Sequence, residues 1–209
     1  MALSPTGGRR LTCVQFSKKG KKSDPANYRP ISLTCVASKI LEHIVHSLIM
    51  KHLNDHNILT DCQHGLRAKR STELQLILTL HDMAKAIQSS CIHAVVLDFA
   101  KAFDKVPHRR LLKKLQHYGI QGPLLNWLES FLTQRFQSVF CEGQTSSQCP
   151  VTSGVPQGTV LGPLLFLLYI NDLPDNVQSS VGSLRTMLYF MALSQATRTA
   201  IFFNLAYTG

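Results

Sequence analysis

Val95-Val96-Leu97-Asp98-Phe99-Ala100-Lys101-Ala102-Phe103-Asp104 is the stretch on which the reading of this chain turns. A β-rich apolar run beginning at Ile92 ends on a carboxylate, and an aromatic follows five residues later. A short apolar run of this kind predicts a buried strand. The strand would deliver Asp98 to its end, where a carboxylate suits Mg²⁺, a hard cation that takes oxygen ligands. Asp98 by itself would as readily be a strand-end residue facing water. Its company makes it a candidate: Phe103 and Asp104 nearby, and a second stretch, Ser153-Gly154-Val155-Pro156-Gln157-Gly158-Thr159. There Gly154 and Gly158 let backbone approach a ligand closely. Pro156 stiffens the loop, and Gln157 offers both a donor and an acceptor.

Composition bounds the partners. The chain has 209 residues, 44% of them hydrophobic, enough for a sizeable core in one or two domains. With 22 basic and 12 acidic residues the net charge is +10, which attracts polyanions, nucleic acid above all. The six cysteines form no CxxC pair and read as reduced thiols of a cytoplasmic or nuclear protein that is not secreted. Cys62/His64, Cys91/His93 and His43/His46 do not assemble a four-ligand zinc site. The longest apolar run, Leu164 to Ile170, is too short to span a membrane, and oligomeric state is not legible.

Periodicity supplies the elements. Residues 1–26, with Lys18-Lys19-Gly20-Lys21-Lys22, read as a basic, irregular lead-in. The three-four spacing of Ile40, Leu41, Ile44, Val45, Leu48, Ile49 and Leu53 predicts a helix over 38–56. Ser71 or Thr72 caps a second, with Leu74, Ile77, Leu80, Met83 and Ile87 on one face. Further helices are expected from Pro107 to Tyr118, from Pro123 to about Thr133 and from Val160 to Asn171, with a hairpin of 136–141 and 148–152 between. The order predicts an α+β fold rather than a doubly wound sheet.

Together with the continuation Val160-Leu161-Gly162-Pro163-Leu164-Leu165-Phe166 and with Gln63-His64-Gly65-Leu66-Arg67-Ala68-Lys69-Arg70-Ser71-Thr72, these stretches resemble the reverse transcriptase domain of non-LTR (LINE-like) retrotransposons. The resemblance covers about residues 16–181. It implies a right-hand polymerase with fingers (27–90) and a partial palm (91–181), thumb absent. It implies RNA-directed DNA synthesis from an RNA template, a DNA primer and deoxynucleoside triphosphates, with Mg²⁺ as cofactor. Asp98 and the carbonyl of Phe99 would be metal ligands, with Asp98 the catalytic carboxylate. Arg29 would reach the triphosphate, with Lys18 as the second candidate for that role. Phe103, Gln157 and Gly158 would line the nucleotide site, and Arg67 and Arg70 would meet template phosphates. Asp104 reads as structural.

The pattern then breaks. Two Mg²⁺ ions need several converging carboxylates, and the family supplies the rest from a strand close to Arg-Leu-Phe-Ala-Asp-Asp in a closing hairpin. Here residues 182–187 read Gly-Ser-Leu-Arg-Thr-Met, and no acidic residue follows Asp175. Written as CGG CTC TTT GCG GAC GAT G, the family string minus its first nucleotide reads GGC TCT TTG CGG ACG ATG, which is Gly182 to Met187. Residues 182–209 are therefore read as an out-of-frame tail that leaves the palm hairpin missing. Such a copy is expected to be catalytically inactive. The alternatives are a non-catalytic, basic RNA-binding remnant and the functionless product of a decayed element.

Overall fold

A computed structural model describes residues 10–17, 21, 28–65, 67, 69–87, 91–133, 135–141, 143–176, 180–184 and 187–194. In chain order the elements are β1 (Arg10–Ser17), β2 (Tyr28–Leu33), α1 (Val36–Asp55), α2 (Thr72–Ile87), β3 (Cys91–Asp98), α3 (His108–His117), α4 (Gly122–Leu132), β4 (Arg135–Cys141), β5 (Gln144–Thr145), β6 (Cys149–Val151), α5 (Leu161–Ile170), β7 (Ser180–Leu184) and β8 (Met187–Ser194). The fold is mixed α+β, divided into two compact units.

The first unit comprises residues 1–59 and 101–170. Its sheet runs β2-β1-β4-β5, with β6 also paired to β4. β1 lies within the lead-in expected to be irregular. The alternation Leu11, Cys13, with Val14 and Phe16, suits a pleated surface, and β1 pairs antiparallel with β2 and parallel with β4. The expected hairpin forms, its second arm split into β5 and β6. α5 is apolar on every side and is buried from Leu161 to Leu168 except at Pro163, as befits a central helix. Leu111 and Leu115 of α3, Leu128 and Leu132 of α4, and Ile49 and Leu53 of α1 complete the core. Each such burial contributes about 1.5–3 kcal/mol.

The second unit comprises residues 60–100 and 171–209. Its antiparallel sheet has the order β3-β8-β7, and α2 packs on β3 and β7. Ser71 is the cap of α2: its Oγ accepts from Leu74 N at 3.1 Å. Two sequence expectations need correction. β3 is not buried on both faces, because Val96 is 61% exposed; an edge strand of an antiparallel sheet keeps one face open. The predicted inner face of α2 is largely outside, with Leu74, Ile77, Leu80 and Ile87 all exposed. Beyond Val181, where the tail is expected to pack poorly or to insert Leu188-Tyr189-Phe190 at the place of the palm hairpin, β7 and β8 form an antiparallel hairpin with β8 along β3. Pairing runs through backbone amides, and Leu188, Tyr189 and Phe190 are β-prone whatever frame encodes them. Among the described residues no helix is long and apolar enough to cross a membrane.

Candidate functional site

The loop at 153–159 is built into the first unit by its neighbours. Lys101, left-handed at φ 53°, opens a 3₁₀ turn over Ala102–Lys105. Gly154 (φ +91°) lies so close to this turn that a Cβ there would meet Asp104 O at 2.8 Å and Phe103 O at 2.9 Å. Gly154 N donates to Val106 O (2.8 Å), Val155 N to Phe103 O (2.7 Å), and Ser153 Oγ to Asp104 O (3.0 Å). On the other side Ser32 N donates to Gln157 O at 2.8 Å, and Gly158 (φ +88°) approaches Ile31 and Ser32 of β2.

These contacts fix two of the residues singled out by sequence. Gln157 Nε2 donates to Asp104 Oδ1 at 2.9 Å. That bond uses one of the two amide N–H donors and leaves the second N–H and Oε1 for other partners. Phe103 stacks on Phe166 of α5, with ring centroids 4.7 Å apart. The structure therefore brings together Phe103, Asp104, Gln157 and Gly158, next to β2, whose exposed Arg29 pairs with Phe16. Asp104 accepts from Gln157 through its carboxylate and from Ser153 through its carbonyl.

Behind the loop lies a buried polar set that sequence reasoning missed. The carboxylate of Glu42, on α1, accepts from Val160 N (2.8 Å) and Leu161 N (3.1 Å). It thereby caps α5, whose first amides have no intrahelical partner. His108 Nε2 donates to Gly154 O at 2.8 Å. Burial holds the His108 imidazole below its usual range; the Gly154 bond opposes this and the charge of Arg135 adds to it. Arg135, 6% exposed, lies over the Phe131 ring at 4.3 Å. Burial pushes its guanidinium down to about 10, against the pull of Glu42. The signal was present: a carboxylate at position 42 falls on the inward stripe of α1 with Leu41 and Val45.

In the second unit Asp98 ends β3, exposed, with the half-buried Phe99 after it. Its register partner on β8 is Met187. Arg67 and Arg70 are drawn into their own loop. Arg67 Nη1 donates to Thr60 O (2.6 Å), and Arg70 donates to Asp61 O (2.8 Å) and Asp61 Oδ1 (2.6 Å). Arg70 Nη1 also meets His64 Nε2 at 3.2 Å. Burial, then the charges of Arg70 and Arg67, hold the His64 imidazole below its usual range. Lys18 lies outside the described residues.

The mixed α+β fold has solved counterparts. The telomerase of Candida tropicalis, in a structure with a fragment of telomeric RNA, superposes with a TM-score of 0.67 at 10% identity, covering 90% of this chain and 36% of that one. The apo telomerase gives 0.63 at 12% identity, covering 92% and 41%. At such identities the likeness is one of fold. Sequence carries the assignment further: residues 17–191 match the family model for reverse transcriptase (RNA-dependent DNA polymerase). A probable RNA-directed DNA polymerase from transposon X-element of Drosophila melanogaster is 36% identical over 160 residues, 76% of this chain. Another, from transposon BS of the same species, is 33% identical over 172 residues, 81% of this chain. The chain belongs to the reverse transcriptase family and is related to the enzymes of non-LTR retrotransposons. It spans 18% and 19% of the length of those two relatives.

Proposed function

We propose that this chain is the fingers and partial palm of a retrotransposon reverse transcriptase, and that this copy does not polymerise. One observation carries the reading: Asp98 lies opposite Met187 across the β3–β8 ladder. Position 187 is where the restored frame writes the second of two adjacent aspartates. Opposed residues on antiparallel strands are about 4.5–5.5 Å apart at Cα, close enough for two carboxylates to share an ion. The register supports a palm whose hairpin backbone persists with methionine in place of aspartate at position 187.

The residues present do not fit a two-ion magnesium site. Among the described residues no three His, Cys, Asp or Glu side chains cluster to hold a metal ion. A methionine sulfur at 187 is a soft ligand, unsuited to Mg²⁺. Asp98 with the Phe99 carbonyl leaves most of a coordination shell to water.

In this reading residues 27–90 act as fingers, 91–181 as palm, and 182–209 as an out-of-frame tail after the basic lead-in of 1–26. Arg29 and Lys18 face a triphosphate, while Phe103, Gln157 and Gly158 meet sugar and base. Arg67 and Arg70 take template phosphate in place of Asp61, which at 88% side-chain exposure holds them weakly. The deciding experiment is primer extension on an RNA template with Mg²⁺ and deoxynucleotides. The chain as it stands gives no product. A version reading Arg-Leu-Phe-Ala-Asp-Asp over 182–187, joined to a downstream thumb, extends the primer and loses extension on Asp98→Ala. Robust synthesis by the unrepaired chain overturns the reading. The net charge of +10 favours a second role that outlives catalysis, salt-sensitive RNA binding.

A further inference from the structure

α3 is assembled against the usual rules for a helix. Its first turn holds His108, Arg109 and Arg110 and no acidic residue, so cations sit where the helix dipole is already positive. Arg109 and Lys113, and Arg110 and Lys114, are like charges four apart, a spacing that repels. Places where a sequence breaks local rules are where function is to be sought.

The cations divide by side. Lys114 faces inward, donating to Tyr169 O at 2.6 Å, with Leu111 and Leu115 fully buried beside it. Arg109, Lys113, Gln116 and His117 form the outer face, and all four are exposed. Among the described residues no carboxylate lies within ion-pair distance of Arg109 or Lys113. Successive members four residues apart advance about 6 Å along the axis, comparable to the step between neighbouring phosphates of a nucleic-acid strand. No apolar side chain interrupts this face, unlike the exposed side of α1, so it suits a hydrated polyanion rather than a lipid interface or a partner helix.

We propose that the outer face of α3 binds the phosphate backbone of RNA without sequence preference. The surface belongs to the first unit, Arg67 and Arg70 to the second, and it needs no catalytic residue. The local repulsion within α3 is relieved when the phosphates dock.

The test is fluorescence anisotropy of the full chain with a fluorescein-labelled, mixed-sequence single-stranded RNA over a range of salt. Arg109→Glu/Lys113→Glu is compared with Lys39→Glu/Lys51→Glu, which makes the same change of charge on exposed positions of α1. The α3 variant should lose about tenfold or more in affinity, and its salt slope should fall by about 1.4, at ~0.7 per single-strand phosphate contact. The α1 variant should lose markedly less. Arg109→Glu alone should raise the thermal midpoint while weakening RNA binding, since it removes the dipole conflict and places Glu four residues before Lys113. Equal losses in the two double variants, or no loss in the α3 variant while the unaltered chain binds RNA, overturn the proposal. Preferential binding of this face to phosphatidylserine vesicles overturns it too. An unaltered chain that binds no RNA sinks the RNA-binding role itself as well.

Discussion

At the scale of single residues, the loop at 153–159 is held by backbone geometry and by one amide. Gly154→Ala meets both a left-handed φ and two carbonyl oxygens under 3 Å. It should destabilise the fold by about 2–3 kcal/mol, read by denaturant unfolding. Asp104→Ala should release the Gln157 side-chain amide, seen as faster hydrogen exchange of its NH₂ resonances. Asp104→Asn should retain protection, because a carbonyl oxygen still accepts. If the amide exchanges equally in all three proteins, the Asp104–Gln157 bond is absent in solution. His108 gives the loop a pH dependence. Its folded form is the neutral ring, held so by burial, and the unfolded chain takes the proton more readily. Its contribution is complete above about pH 6.5 and is lost as pH falls below that value. The thermal midpoint should therefore drop as pH falls below about 6.5, and His108→Gln should flatten that drop.

At the scale of elements, periodicity located the helices and missed which sides they bury. The apolar stripe of α1 is wide enough for two readings. The structure buries Val45, Ile49 and Leu53, and leaves Ile40, Ile44 and Leu48 between 55% and 58% exposed. Ile49→Ala should cost about 2–5 kcal/mol, whereas Ile44→Ala should stay within about 0.5 kcal/mol. Chemical unfolding of both variants decides between the faces. Glu42 ties two helices distant in sequence. Its removal by Glu42→Ala leaves Val160 N and Leu161 N without their acceptor and Arg135 without its counter-charge, a loss of about 3–5 kcal/mol. No spacing rule would have found this link, which joins residues more than a hundred positions apart. The strand at 91–98 was found from its β-branched run, yet its pairing with β8 joins segments about ninety residues apart and no local pattern announces it.

At the scale of the whole molecule, the family was legible because its signatures are local strings: Asp98 to Asp104, and Ser153 to Phe166. The pairing of β1 with β4 was not legible, since it joins segments more than a hundred residues apart. The frame account makes a prediction at this scale. One nucleotide restored between the codons of Val181 and Gly182 should open Arg-Leu-Phe-Ala-Asp-Asp-Ala-Val-Leu-Tyr. Codons at the locus that cannot encode that string would end the account.

The apolar sides of α1 and α2 have a consequence for the protein's life in a cell. Ile77, Leu80 and Ile87 join Ile40, Ile44 and Leu48 as large side chains left in water. Surfaces of this kind are what holdase chaperones grip and quality-control proteases clear. Newly made copies should turn over fast and accumulate little, and Ile77→Lys/Leu80→Lys should lengthen their half-life in a pulse-chase. A copy inactive in the sense proposed above would then leave few molecules to occupy RNA.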